Sequence, residues 1–70
     1  MNILVFKTSV TQPLHIRRVQ TILAAINSVT DWNFDLEDSD NILRVISADL
    51  SPRYIETILQ NAGIGCEELE

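Results

Sequence analysis

Two side chains in this sequence could carry nucleophilic, acid–base or soft-metal chemistry: His15, the only histidine, and Cys66, the only cysteine. A histidine can act as a general base near neutral pH or ligate a metal through a neutral ring nitrogen. A thiolate is both a nucleophile and a soft-metal ligand. As a nucleophile–base pair the two lack a third group to orient the base, so a catalytic reading is set aside and the chain is expected to be non-enzymatic. As metal donors they supply one imidazole and one sulfur, short of the four ligands of a structural zinc site. With no second cysteine there is no Cys-x-x-Cys clamp and no intrachain disulfide. Asp31-x-Asn33-x-Asp35 mimics the start of a calcium-binding loop. The sixth position, however, is Leu36 rather than glycine, and the twelfth is Ile42 rather than glutamate. Arg17 and Arg18 are adjacent but do not make a basic stripe.

The whole chain narrows the classes further. Seventy residues suit a single domain, residues 1–70. A domain of that size buries only about 60% of the surface its unfolded chain exposes, so it gains from a partner. The net charge is −5, from ten acidic and five basic residues, and this argues against a nucleic-acid binder. The acidic residues gather in Asp31 to Asp40 and Glu67 to Glu70. No apolar run approaches the roughly 18 residues of a membrane span. Residues 3 to 6 are too short for a signal-peptide core and lack a basic flank. A cytoplasmic protein that touches no membrane is the expectation.

The candidate residues have to be positioned by six elements. Residues 2 to 10 read as a central strand, apolar on both faces at its start, with Leu4 and Phe6 inward and Ile3, Val5 and Lys7 outward. Pro13 opens a helix whose stripe is Ile16, Val19, Ile22, Leu23 and Ile26, ending near Asn27 or Ser28. Residues 31 to 37 alternate, with Trp32, Phe34 and Leu36 on one side and Asp31, Asn33, Asp35 and Glu37 on the other. Asp38-Ser39-Asp40-Asn41 is a turn, and Ile42 to Ser47 returns as a strand. A four-residue loop pairs Glu37 with Ile42, Leu36 with Leu43, Asp35 with Arg44 and Phe34 with Val45. Ser51 caps and Pro52 starts a second helix with the stripe Ile55, Ile58, Leu59 and Ala62, and Gly63 stops it. Residues 64 to 69 form the last strand, with Cys66 inward. The order βαββαβ with right-handed crossovers predicts an α+β, ferredoxin-like sandwich. Its four-stranded antiparallel sheet runs 4-1-3-2, with both helices on one face.

The helical stripe at Val19, Ile22 or Leu23 and Ile26, the central hairpin from Trp32 to Val45 and Ala62-Gly63-Ile64 carry a resemblance. Nearly all of the chain resembles a heavy-metal-associated domain, the fold of copper chaperones and of the N-terminal modules of metal-pumping ATPases. In that family a Met-x-Cys-x-x-Cys loop joins the first strand to the first helix. Counting back from Val19 places Arg18 at the second cysteine and His15 at the first. The resemblance implies the fold. The sequence departs at both ligand positions, because a guanidinium is permanently charged and cannot ligate.

The expected function is therefore a heavy-metal-associated-like domain that lacks the thiolate clamp and acts as a protein-interaction or self-associating module. Its expected surface is the uncovered face of the sheet: Ile3, Val5, Lys7, Ile42, Arg44 and Ile46. The expected partner is another protein or a second copy, and no cofactor is expected. The alternative is residual heavy-metal binding, as in a copper chaperone, by His15 with Cys66 or with a ligand from a partner. A small-molecule sensor ranks last, since residues 9 to 13 hold no glycine with which to approach a ligand closely.

Overall fold

A computed structural model of the chain describes residues 2–37 and 39–69. The expected Asp38 turn position and the end of the acidic tail at Glu70 lie outside them. The elements run in the order β1 (Asn2–Thr8), α1 (Pro13–Ala24), β2 (Val29–Asp35), β3 (Ile42–Ser47), α2 (Pro52–Asn61) and β4 (Cys66–Glu68). All strand pairs are antiparallel, and the sheet order β2-β3-β1-β4 is the expected 4-1-3-2 read from the other side.

The core forms where the inward phase of the sheet meets the two helical stripes. Leu4, Phe6, Leu43 and Val45 from the sheet join Val19 and Leu23 of α1 and Ile55 and Leu59 of α2 in one buried cluster. Both helices therefore cover the same face. Burial of such side chains is worth about 1.5–3 kcal/mol each. Val10, Ile64 and Cys66 complete the cluster where β1 and β4 reach their loops. Ser47 is also fully buried, and its hydroxyl is the one buried side-chain polar atom without a partner among the described residues.

The helix ends follow the chemistry of their residues. Ser51 accepts the N–H of Arg53 at 3.2 Å and Pro52 occupies the first turn of α2. At the other end Gly63 adopts φ +83°, so that the Ile64 N–H can reach back to the Leu59 carbonyl at 2.9 Å. By contrast, Gln12, which precedes α1, makes no side-chain cap bond.

The structure corrects the hairpin. Asp35 pairs with Ile42, Phe34 with Leu43, Asn33 with Arg44 and Trp32 with Val45, a slip of two residues from the expected register. A slip of two keeps every side chain on its expected face, so alternation could not expose it. Strand β2 then ends at Asp35 and β3 starts at Ile42, and Asn41 just before β3 adopts φ +50°. Arg44 lies opposite Asn33 and reaches Asp35 diagonally at 3.7 Å. Strand β2 also begins earlier than expected, at Val29. A register shift between Val29 and Asp31 skips Thr30, and this bulge lets Val29 and Trp32, of opposite parity, both pack on the core.

Candidate functional site

The junction between β1 and α1 is built by hydrogen bonds from side chains at the ends of neighbouring elements. The buried Thr8 hydroxyl donates to the Asn41 carbonyl at 2.6 Å and accepts the Val10 N–H at 3.2 Å. The Ser9 N–H donates to the Gly65 carbonyl at 3.0 Å, and the Gly65 N–H returns a bond to Ser9 Oγ at 2.8 Å. A Cβ on Gly65 would stand 3.2 Å from both Cβ and Oγ of Ser9, which is why the strands can approach so closely here. Val10 turns into the core with no exposure at all.

This geometry offers a second frame for the metal motif. The Met-x-Cys-x-x-Cys motif of the resembled family opens on methionine, an apolar residue of a type most often found buried. With His15 and Arg18 at the ligand places the leading place falls on Pro13, which is exposed and already inside α1. Arg18 would then sit well within the helix. Three residues earlier, the leading place falls on buried Val10, and the ligand places fall on Gln12 and His15. These flank the start of α1, and the His15 N–H donates to the Gln12 carbonyl at 3.0 Å. An amide side chain and one imidazole are a poor soft-metal pair. Arg18 has another role: Nη1 donates to the Ala62 carbonyl at 3.2 Å and so ties α1 to the C-terminus of α2. A cation is favoured at that negative end of a helix.

Cys66 faces Thr8 across the β1–β4 pair, both side chains being buried on the core side. Burial, reinforced by the nearby Glu56 carboxylate, pushes its thiol up from 9.0 to about 12. The thiolate that a metal or a nucleophilic role requires is thus disfavoured. No hydrogen bond joins Cys66 to His15, which is half-buried in the first turn of α1. Among the described residues no three His, Cys, Asp or Glu side chains gather closely enough to hold a metal ion. The donor set does not fit a soft metal.

The uncovered face of the sheet carries the expected surface residues in cross-strand rows. Ile3 lies opposite Ile46, Val5 opposite Arg44 and Lys7 opposite Ile42. Ile3 is 66% exposed, Val5 and Ile46 are half-buried, and Ile42 is only 6% exposed. Ile42 therefore offers little to a partner. Lys7 stands 3.8 Å from Asp40, and Arg44 also donates to Asn33 at 3.4 Å. Leu69 was missing from the expected set. Its N–H donates to the Val5 carbonyl at 2.8 Å, and its side chain, 37% exposed, shares the outward phase. Alternation outward from Cys66 would have found it.

No protein-family model and no curated protein matches this chain. Among solved structures it is similar to the yeast copper transporter domain CCC2A, at 21% identity and a TM-score of 0.85, covering all of this chain and 97% of that one. A match of 21% identity and TM-score 0.84, with the same coverage, is found in the Atx1-Cu(I)-Ccc2a complex. The N-terminal domain of ZntA in its Zn(II) form matches at 17% identity and TM-score 0.77, over 97% of this chain and 92% of that one. All three neighbours are heavy-metal-associated domains. The chain has the ferredoxin-like fold of heavy-metal-associated domains.

Proposed function

We propose that this chain is a non-enzymatic heavy-metal-associated-like domain, residues 1–70, that has lost its metal clamp and works as a protein-interaction module. The observation that carries the proposal is the donor set at the strand–helix junction. Gln12, His15 and Arg18 stand there in place of thiolates, and the lone thiol is buried with its proton held. Residual metal handling by His15 and Cys66 would need the Cys66 side chain to leave the core. Support for a protein partner comes from the neighbour whose structure is a complex between two proteins.

The docking surface in this reading is the apolar half of the open sheet face, formed by Ile3, Val5, Ile46 and Leu69 and bordered by Lys7 and Arg44. A small domain gains most from covering such a surface. A second copy is the simplest partner to test. Sedimentation from micromolar to millimolar concentration should show reversible association that Ile3→Glu or Ile46→Glu abolishes. A monomer throughout, with both variants indistinguishable from wild type, would remove self-association through this face.

A further inference from the structure

The two outer edges of the sheet are finished differently. An edge strand exposes unpaired N–H and C=O groups that can template another strand. On β4 the chain covers them itself. Gln60 Nε2 donates to the Cys66 carbonyl at 2.8 Å, and Glu56 Oε2 accepts the Glu68 N–H at 2.8 Å. Both bonds come from α2, which lies against β4. Strand β2 pairs with β3 alone. The Trp32 N–H is accepted by the carboxylate of the adjacent Asp31 at 2.8 Å, which marks it as pointing away from β3. Alternation along an antiparallel strand turns the backbone groups of Phe34 the same way. Among the described residues the side chain bonded to these outward groups is a local, exposed carboxylate, which a strand carbonyl can replace.

The side chains beside that edge are sorted by chemistry. Toward the helices stand Trp32 and Phe34, half-buried and edge-to-face with ring centroids 5.8 Å apart. Leu36, 38% exposed, follows Asp35, the last residue of the strand. Toward the open face stand Asp31, Asn33 and Asp35. We propose that the outer edge of β2 takes an extended peptide of a partner protein as a fifth strand, with basic and apolar residues alternating along it. The apolar side chains lie on the Trp32–Phe34 ledge and the basic ones meet Asp31 and Asp35. Pairing of two copies about Asn33 would instead set each Asp31 against the other copy's Asp35. Like charges directly opposite destabilise a strand pair, so the occupant is a partner rather than a second copy.

The inference rests on the interaction reading but uses a different surface from the open face, and one experiment separates the two. The probe is an acetylated peptide of alternating Lys and Val, titrated into the isotope-labelled full chain. Controls are the same peptide N-methylated at alternate residues and a Glu-Val counterpart. The expected result is saturable binding by the Lys-Val peptide alone, with slowed amide exchange at Phe34. Neutralising the carboxylates in Asp31→Asn/Asp35→Asn should weaken binding about fivefold, in line with two exposed charge pairs. Ile3→Glu, on β1 and so not beside β2, should leave it unchanged. Equal binding by the N-methylated peptide, or no protection at Phe34, would overturn strand addition. Binding lost in Ile3→Glu but kept in the Asp variant would overturn the edge and support the open face. No binding by any peptide would overturn the edge and leave the open-face reading standing.

Discussion

The strand–helix junction and the outer edge of β2 lie in the same small domain, yet they treat their polar groups in opposite ways. At the junction Thr8, Ser9, Arg18 and Gly65 are bonded to Asn41, Val10, Ala62 and one another, so the loop is closed from within. Along β2 the carboxylates of Asp31 and Asp35 stand at the surface, and among the described residues the outward N–H of Trp32 is bonded to its neighbour's side chain. The position at which a metal loop would open to a ligand is therefore structural here. In the proposed reading, the surface that meets a partner lies elsewhere. That contrast teaches that a fold can keep the frame of a site while its residues serve packing.

The largest expected effect comes from restoring the clamp. Gln12→Cys/His15→Cys places two thiols at the start of α1, where unsatisfied N–H groups and the helix dipole favour thiolates. Cu(I) affinity, measured by competition with a chromogenic chelator, should rise by orders of magnitude. His15→Cys/Arg18→Cys should gain much less, because position 18 lies inside the helix and Arg18 leaves its bond to Ala62. The reverse ranking would restore the frame counted back from Val19.

A middle-sized effect separates the two regions by stability. Thr8→Val keeps the shape of a buried side chain but strands the Val10 N–H and the Asn41 carbonyl. Leaving such groups without partners costs about 1–3 kcal/mol, to be measured by urea unfolding. Asp31→Asn/Asp35→Asn should stay within about 0.5 kcal/mol of wild type, as exposed substitutions do. A comparable loss in both would erase the distinction.

The fold was legible where local chemistry decides it. Leu4 and Phe6 gave the phase of β1, Ser51-Pro52 the start of α2, and Gly63 its end, each from interactions within a few residues. What escaped the sequence was set at long range. The two-residue slip of β2 on β3 leaves every facing pattern intact, so nothing in Trp32, Phe34 or Leu36 signals it. The bulge at Thr30 breaks the alternation that would have brought Val29 into the strand. Arg18 is bonded to a residue 44 positions away, and Gln60 and Glu56 cover a strand that follows them, contacts that no spacing rule announces. The lack of a second cysteine was legible in composition. That Val10 is buried while Pro13 is exposed was not, because the loop's path across the sheet sets it.

The smallest effect concerns the thiol. Its pKa in the folded chain is about 12 against 9.0 when free, so the folded state holds the proton more tightly. Stability from this source is fully present below pH 9 and is lost as pH rises toward 12. Denaturation midpoints should therefore fall more steeply above pH 9 in wild type than in Cys66→Ala. Equal slopes would mean that the thiol is not held protonated in the core.

The central claim is that the junction does not bind metal as a clamp, and metal titration of the unmodified chain tests it most directly. Cu(I), Zn(II) and Ni(II) are added to wild type and to His15→Ala under reducing conditions, with affinity read by chelator competition. The two proteins should be indistinguishable, and neither should retain metal against the chelator. Tight binding by wild type that His15→Ala loses would contradict the claim.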